Sequence, residues 1–529
     1  MEMGGVGNDD HSSGGGDHGG GDGREHVVMF PFMAKGHTVP VIHLAAALSR
    51  RGLRVTILTT PANAPFLRRS LPRLRSTDHL PPDLYPDLYP AFLRATALLR
   101  APLRRLLLQL VADSSSSSPR PLCFVADFLL SWSLPIARGL GVPALVFHGM
   151  SVFSMAMCKS IFSALVTPPS PSSSSAFAAA INGGDEVPFT VPGDPRSLLF
   201  APSEVPSEVR NPANPEDPVT RFLVEEIGPA ERPASWGVLV NSFAELDREY
   251  VDLFEGFYRG GGGGARAWLV GPMSLLAARV NAEEEEDPTD HDPEGCLAWL
   301  DEHRPGEAVY VAFGTQAHVA DAQLDEAAHG LVGSGHPFLW AVRSETWAPP
   351  APLAAQIQSR GKIVRGWAPQ NAILGHVAVG GFVTHCGWNS VLESLSAGKP
   401  MLAWPMIAEQ VLNAKHLVEI LGAGVRVRDI MSDGIVTRDE VAAGVREVMG
   451  GGGERGQRAR ARAVELRDAA AAAVAEGGTS WVALENLLQE LRKIKNYETA
   501  SSNTENSMKD DVERRTKEEE SQQHGVQIV

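Results

Sequence analysis

Residues 367–410 read WAPQNAILGHVAVGGFVTHCGWNSVLESLSAGKPMLAWPMIAEQ, and this stretch decides the fold. Gly380, Gly381, Phe382, Val383 and Thr384 form a short apolar run that predicts a buried strand. His385, Cys386 and Gly387 follow as a tight turn. From Trp388 or Asn389 the pattern turns helical, with Val391, Leu392 and Leu395 on one face. Gly398 suits the position just past a helix end, and Pro400 blocks continuation. Strand, glycine turn and helix start make the geometry that binds phosphate in α/β proteins. The unpaired N–H groups of Asn389 and Ser390 and the helix dipole both favour an anion there.

The same stretch carries side chains suited to a nucleotide sugar. Trp367 offers a flat face for a base. Gln370 and Glu393 can hydrogen-bond hydroxyls, and a carboxylate suits a ribose diol. His385 can donate to a diphosphate. A second strand, Met401 to Trp404, places Glu409 and Gln410 past a carboxyl end, where α/β sheets bind ligands. An ordinary βαβ unit with capping residues shares the strand–glycine–helix signal; the other side chains separate the two readings.

The stretch resembles the signature box of the plant family 1 UDP-glycosyltransferases, the UDP-sugar-dependent secondary-product glucosyltransferases. The match runs without a gap through WAPQ, THCGWNS, LE, WP and the closing EQ. A looser resemblance extends from about Arg24 to Leu491. It implies an α/β fold of the GT-B type, two Rossmann-like domains with parallel sheets facing across a cleft. It places Trp367 on uracil, with Ala368 beside it, and Gln370 and Glu393 on the ribose. His385, Asn389 and Ser390 would hold the diphosphate, while Trp388, Glu409 and Gln410 would face the sugar. Gln at the last box position implies glucose over galactose. Two departures stand out. Glu409 is often Asp in the family, which lengthens a sugar contact by one methylene, and Lys399 stands where a small or branched residue is commoner.

Working outward, the 529 residues suffice for two domains of ordinary size. A 43% apolar, 21% charged composition is that of a soluble protein. The formal charge of −16 argues against nucleic-acid or anionic-membrane partners. The four cysteines, Cys123, Cys158, Cys296 and Cys386, are scattered without a CxxC, so neither a disulfide framework nor a zinc site is expected. Residues 1–23 lack the apolar core of a signal peptide, and no uninterrupted apolar run reaches about 20 residues. Ala91 to Ala112 is broken by arginines and reads as an amphipathic helix pair around Pro102. Animal relatives of the family carry a signal peptide and a membrane anchor; a polar C-terminus favours the soluble plant type. A cytosolic monomer with no membrane span is the expectation.

The chain order supports this division. Residues 1–23, a Gly-rich tail, are expected to be disordered. By resemblance, residues 24–270 form an acceptor-binding domain. His26 to Phe32 is a strand, Met33 to Pro40 a turn carrying His37, and a helix with Leu44, Ala47 and Leu48 inward comes next. Further strands are Leu53 to Leu58, Cys123 to Asp127, Ala144 to His148 and Gly237 to Ser242. The segment 151–180 starts as an apolar helix. By the same resemblance, residues 271–480 form the donor domain, entered through a linker at about 271–295 and opened by the strand Ala308 to Thr315. Helix Ala322 to Leu331, strands Phe338 to Val342 and Lys362 to Arg365, and the box follow. Thr437 to Glu440 is a capping box. By resemblance, a helix at 481–495, apolar at Leu484, Leu487, Leu488 and Leu491, packs back on the first domain. Residues 496–529 are a polar tail expected to be disordered.

Moving a sugar onto an alcohol or phenol requires a base that takes the hydroxyl proton. Neutral histidine serves near working pH, and a carboxylate on its other nitrogen fixes the tautomer. The resemblance implies this dyad: His37, in Gly-His-x-x-Pro, matches the base, and Asp127, at the end of Val-Ala-Asp, matches its orienting acid. Thr315, after Phe313-Gly314, matches a diphosphate contact. The implied reaction is inverting transfer of a hexose, glucose, from UDP-glucose to a hydroxyl of a small lipophilic acceptor of phenolic, flavonoid, terpenoid or hormone type. His376 is expected to be structural, and His148 lies near the expected acceptor side. Asp290-His-Asp292 spells the Asp-x-Asp metal motif of another glycosyltransferase class, but it sits in a solvated acidic run, so no metal or other cofactor is expected. Two other readings compete. A silent nucleotide-sugar-binding protein would lack the dyad. An NAD oxidoreductase would need Gly-x-Gly-x-x-Gly after the first strand, and Phe32 to His37 has no such pattern. The acceptor would be read by loops near residues 85–100, 127–132, 148–165 and 195–210.

Overall fold

Apolar runs of β-formers build two parallel sheets. The strands are β1 (Glu2–Gly5), β2 (His26–Phe30), β3 (Arg54–Thr59), β4 (Pro121–Asp127), β5 (Ala144–His148), β6 (Phe189–Thr190), β7 (Leu199–Phe200), β8 (Gly237–Val240) and β9 (Arg266–Leu269), then β10 (Ala308–Ala312), β11 (Phe338–Ala341), β12 (Gly361–Val364), β13 (Val379–Thr384), β14 (Met401–Ala403) and β15 (Gly424–Arg426). The computed structural model describes residues 2–5, 23–61, 63–64, 89–113, 119–166, 177, 179–181, 187–210, 217–259, 266–276, 292–344, 346–428, 434–450 and 453–496.

The first sheet runs β1-β3-β2-β4-β5-β8-β9 and the second β12-β11-β10-β13-β14-β15; β6 and β7 pair separately. All neighbours in the two large sheets are parallel except β1 on β3. Strands covered on both faces should read as continuous apolar runs, and β4 and β13 are buried at every position. In the first sheet Val28, Phe30 and Phe124 face one core and Val27, Met29 and Val125 the other. In the second, Tyr310 and Phe382 face one core and Val309, Val311 and Val383 the other. Strand order reverses between β2 and β4 in the first sheet and between β10 and β13 in the second. Such switch points open a crevice at the carboxyl ends of the strands. His37 and Asp127 follow β2 and end β4; Thr315 and His385 follow β10 and β13.

The helix 479–496 buries Leu484, Leu487, Leu488 and Leu491 among Val27, Met29 and Val125 of the first sheet. Arg51 Nε donates to Glu485 at 2.8 Å, and Arg492 pairs with Glu25 at 2.8 Å, fixing this return crossing.

Three expectations are corrected. The glycine-rich start is not wholly without structure: Glu2–Gly5 pairs antiparallel with β3, using backbone groups that need no apolar side chains. Residues 6–22 and 497–529, residues 65–88 and Asp290 lie outside the described residues. The helix after β2 begins at Lys35, so His37 sits in its first turn rather than in a preceding loop. The break in the amphipathic segment falls at Thr96–Leu99, a tight 3-10 turn between helices Tyr89–Ala95 and Arg100–Ala112. Pro102 lies in the first turn of the latter, where a missing N–H costs nothing.

Candidate active site

His37 and Asp127 meet although their strands are far apart in sequence. His37 Nδ1 stands 2.9 Å from Asp127 Oδ2, and the carboxylate is fully buried while the imidazole is 25% exposed. The other carboxylate oxygen, Oδ1, accepts from Leu129 N at 3.0 Å. With Nδ1 donating to Asp127, the lone pair lies on Nε2, on a ring that lines the cleft. Burial alone would lower His37, but the charge and hydrogen bond of Asp127, with Glu409 beyond, outweigh it and hold the imidazole above its usual value. Phe32 meets the ring edge-on at 5.2 Å, and Phe128 stacks on it at 6.0 Å.

Across the cleft the helix Trp388–Ser396 starts at Gly387, which has no side chain to cap it, so the first N–H groups stay open to a ligand. His385 lies beside that start. Burial pulls its imidazolium down to about 4, against the Ala312 carbonyl, so the ring is neutral at working pH. Cβ atoms added at Gly314 or Gly387 would fall 2.6 or 2.4 Å from Nε2. Both positions require glycine for His385 to reach the cleft. Cys386 takes φ of +64°, a left-handed conformation that points the turn back, and its amide donates to Thr384 Oγ1 at 3.1 Å.

Trp367 is 42% exposed in the cleft wall, a platform rather than a core residue. Ala368 lies buried beside it and also borders the cleft. Gln370 Nε2 donates to Ser390 Oγ at 2.9 Å and Glu393 Oε2 at 2.6 Å, while its carbonyl accepts from Tyr310 at 3.3 Å. Burial raises the Glu393 carboxyl to about 7 despite the Gln370 bond. Thr315 is exposed on the cleft and follows Gly314 at φ +79°. Glu409 borders the cleft; burial raises its carboxyl, and Oε1 accepts from Asn413 at 3.3 Å. Ala408, at φ +53°, turns the chain just before it. Gln410 Oε1 accepts from both Met406 N and Ile407 N at 3.0 Å, so its oxygen holds this turn and only its NH2 group is left for a ligand.

Two members of the box are committed differently from the expectation. The indole of Trp388 is 2% exposed, stacks on His416 at 5.7 Å and donates to the Asn241 carbonyl at 2.7 Å. It secures the contact between the two domains while still bordering the cleft. Asn389 donates to Gly36 O at 2.6 Å and accepts from Asn241 Nδ2 at 3.2 Å, both on the first domain's side. His148 does not reach the cleft. It is fully buried, sits 5.2 Å behind Phe128, and meets Glu231 at 3.0 Å and Tyr258 at 3.1 Å. His376 is structural: it pairs with Asp301 at 3.1 Å and accepts from Ala378 N at 3.2 Å. Asp292 accepts from Cys296 N and Leu297 N at 2.8 Å, capping the next helix with both oxygens. Lys399 now has a role: Nζ donates to the carbonyls of His376 and Val379 at 3.1 and 2.8 Å, holding the entry to β13.

Sequence reasoning missed Lys35 and Arg343 in the cleft wall, whereas Phe128 falls in the expected acceptor loop at 127–132. Only Lys35 carried a signal, its place before Gly36-His37. It also missed Asn413, which joins Ser154 Oγ at 2.7 Å to the Cys386 carbonyl at 3.0 Å across the two halves. Glu204 pairs with Lys415 at 2.9 Å and Arg426 at 2.5 Å in the same seam. The cleft between the halves measures about 1780 Å³. The first domain lines it with Met155, Phe162, Leu223, Ile227 and Phe257, mostly apolar, together with Lys159, Glu208 and Glu231.

Two doubly wound sheets facing across a cleft, with an open helix start and a base-sized aromatic platform on one wall, define a GT-B glycosyltransferase. A family model described as "UDP-glucoronosyl and UDP-glucosyl transferase" matches residues 278–452. UDP-glycosyltransferase 73B4 of Arabidopsis thaliana is 35% identical over 522 residues, covering 88% of this chain and 98% of that one. Scopoletin glucosyltransferase of Nicotiana tabacum is 33% identical, covering 89% and 98%. Among solved structures, Glycyrrhiza uralensis UGT73P12 complexed with glycyrrhetinic acid 3-O-monoglucuronide is 30% identical, with a TM-score of 0.74 over 92% of this chain and 99% of that one. Phytolacca americana UGT2 complexed with UDP-2fluoro-glucose and pterostilbene has a TM-score of 0.69 at 26% identity, covering 88% and 100%. The chain belongs to the UDP-glycosyltransferase family, and it is an enzyme of that family. Among the described residues no helix is long and apolar enough to cross a membrane.

Proposed function

We propose that the protein transfers glucose from UDP-glucose, with inversion, to a hydroxyl of a small lipophilic acceptor. The observation that carries this reading is the His37–Asp127 pair facing the open helix start at Asn389 and Ser390 within one cleft. The acceptor oxygen bonds to the anomeric carbon as its proton passes to His37 Nε2, and the bond to the UDP oxygen breaks. Asp127 holds the resulting imidazolium. The helix start, Thr315 and neutral His385 take up charge on the departing diphosphate, a fixed arrangement of dipoles in place of a metal. Trp367 and Ala368 take the uracil and Gln370 with Glu393 the ribose. Glu409 and the Gln410 NH2 group meet the sugar hydroxyls, and Trp388 positions the helix start under it.

Residues 24–270 are assigned to the acceptor and 271–480 to the donor, with the last helix at 481–495 closing the first domain. The mostly apolar first-domain lining of the cleft suits an aromatic or terpenoid acceptor. Two similar proteins are named for scopoletin and for the anthocyanin 3′-hydroxyl, which favours a phenol. The composition suits a cytosolic monomer. The test is turnover of UDP-glucose and UDP-galactose against phenolic, flavonoid, terpenoid and hormone acceptors, with and without EDTA. Glucose transfer to at least one phenol, insensitive to EDTA, is expected; binding of UDP without transfer to any acceptor would instead mark a silent binding protein.

A further inference from the structure

One cation in the cleft wall comes from the first domain yet stands over the aromatic platform of the second. Lys35 is the first residue of the helix Lys35–Arg50, on the first domain. Its ammonium nevertheless lies 5.3 Å from the ring centroid of Trp367, on the opposite wall. The next residue, Gly36, is tied to Asn389 by a 2.6 Å hydrogen bond, so the lysine is anchored where the diphosphate-binding helix begins. A second cation converges on the same corner: Arg343 lines the cleft and donates Nη1 to Gly366 O at 2.7 Å, next to Trp367. Burial, with Arg343 adding to it, pulls the Lys35 ammonium down to about 8, and burial lowers Arg343 too. Two partly desolvated cations beside an open helix start give this corner a strong preference for an anion.

We propose that Lys35 is a donor-binding residue that contacts the diphosphate of the nucleotide sugar from the acceptor-domain wall; this rests on the UDP-sugar reading of the cleft. A base stacking on Trp367 must displace the ammonium from the indole face. The flexible four-carbon stem lets it move, and a diphosphate at Asn389 and Ser390 is the anion within the same corner. A cation–π contact is then exchanged for a charge-assisted hydrogen bond, which is the stronger of the two. An ammonium there would also meet the charge that grows on the leaving group as the glycosidic bond breaks.

The test compares binding of uridine, UMP and UDP by calorimetry in the wild-type protein, Lys35→Met and Lys35→Arg at fixed ionic strength. Lys35→Met is expected to weaken UDP about tenfold while leaving uridine unchanged or tighter, because uridine lacks the charge and gains the vacated indole face. Lys35→Arg keeps the charge and should retain clearly more of the UDP affinity than Lys35→Met. The KM for UDP-glucose should follow the UDP affinity. An unchanged ratio of UDP to uridine affinity in Lys35→Met overturns the proposal, whether both fall or neither does. If Lys35→Met does not fold, Lys35→Gln carries the same comparison. A wild-type protein that fails to bind UDP would overturn the donor-site reading itself.

Discussion

Asn389 Nδ2 donates to the carbonyl of Gly36 at 2.6 Å, and Pro40 is the reason that carbonyl is available. In a regular helix the N–H of residue 40 would bond to the carbonyl of residue 36, but proline has none. The Gly-His-x-x-Pro pattern therefore leaves an acceptor at the first turn, and the donor domain takes it. The turn that carries His37 is thus docked onto the helix start that receives the diphosphate. Asn389→Ala keeps the backbone N–H that faces the anion but removes this tie, and should weaken UDP binding by about 1 kcal/mol. Pro40→Ala gives Gly36 an in-helix partner and should raise the KM for UDP-glucose by a smaller factor without lowering the unfolding temperature. Calorimetry and thermal unfolding check both; an unchanged UDP affinity in Asn389→Ala would show that the contact is incidental.

Glu393 should make nucleoside binding depend on pH. Its carboxyl is raised to about 7 by burial, so near neutrality it is part protonated in the free protein. A ribose diol donates two hydrogen bonds, and these favour the carboxylate. Binding therefore selects the deprotonated form, and uridine affinity should rise as pH climbs from 6 to 8. Uridine is the right ligand because it carries no phosphate that titrates in this range. Glu393→Gln should bind more weakly and show a flat profile. A wild-type profile that is equally flat would remove Glu393 from the ribose contact.

The donor side was legible because its residues are consecutive: one strand, one glycine turn and one helix fix the placement of His385, Ser390 and Glu393. Box residues with long or amphipathic side chains were less legible. Trp388 turned into the seam between the domains because an indole gains more from stacking on His416 and bonding Asn241 than from lying at a polar rim. Nothing in the local pattern names those partners, which stand 28 and 147 residues away in the chain. His148 reads locally like a strand-end ligand. Its burial depends on Glu231 and Tyr258, 83 and 110 residues further on, and on Phe128 in front of it. Lys399 was opaque for the same reason, since its acceptors are backbone carbonyls.

Lys399 supplies a test of stability rather than chemistry. Its two hydrogen bonds to His376 O and Val379 O hold the chain as it enters β13. Removing the ammonium takes one donor from Val379 O and leaves His376 O with Val379 N alone at 3.2 Å, a loss of about 1–3 kcal/mol. Lys399→Met keeps most of the stem and isolates that loss. Denaturant unfolding should show the donor domain destabilised by this amount, with UDP affinity of the folded protein unchanged. Full stability in Lys399→Met would mean that water replaces the ammonium.

The pairing of His37 with Asp127 predicts a particular pattern of losses. His37→Ala should reduce turnover by about 10² to 10⁴, the usual contribution of a general base. The loss should be greatest for aliphatic alcohols, whose protons are hardest to remove, and smaller for acidic phenols that ionise in part unaided. Asp127→Asn keeps an oxygen for Leu129 N but removes the charge that fixes the Nδ1 proton. It should retain UDP affinity and lose much of the rate. The pH profile separates orientation from mere structure. Because Asp127 holds the His37 imidazole above its ordinary value, the base is free only above that raised value, and the wild-type rate should climb through it and then level off. In Asp127→Asn the rising limb should move to lower pH while the plateau falls. Initial rates against pH with one phenol and one alcohol, alongside UDP calorimetry, decide the matter: near-parent rates on both acceptors in His37→Ala, with UDP still bound, would take the base away from His37.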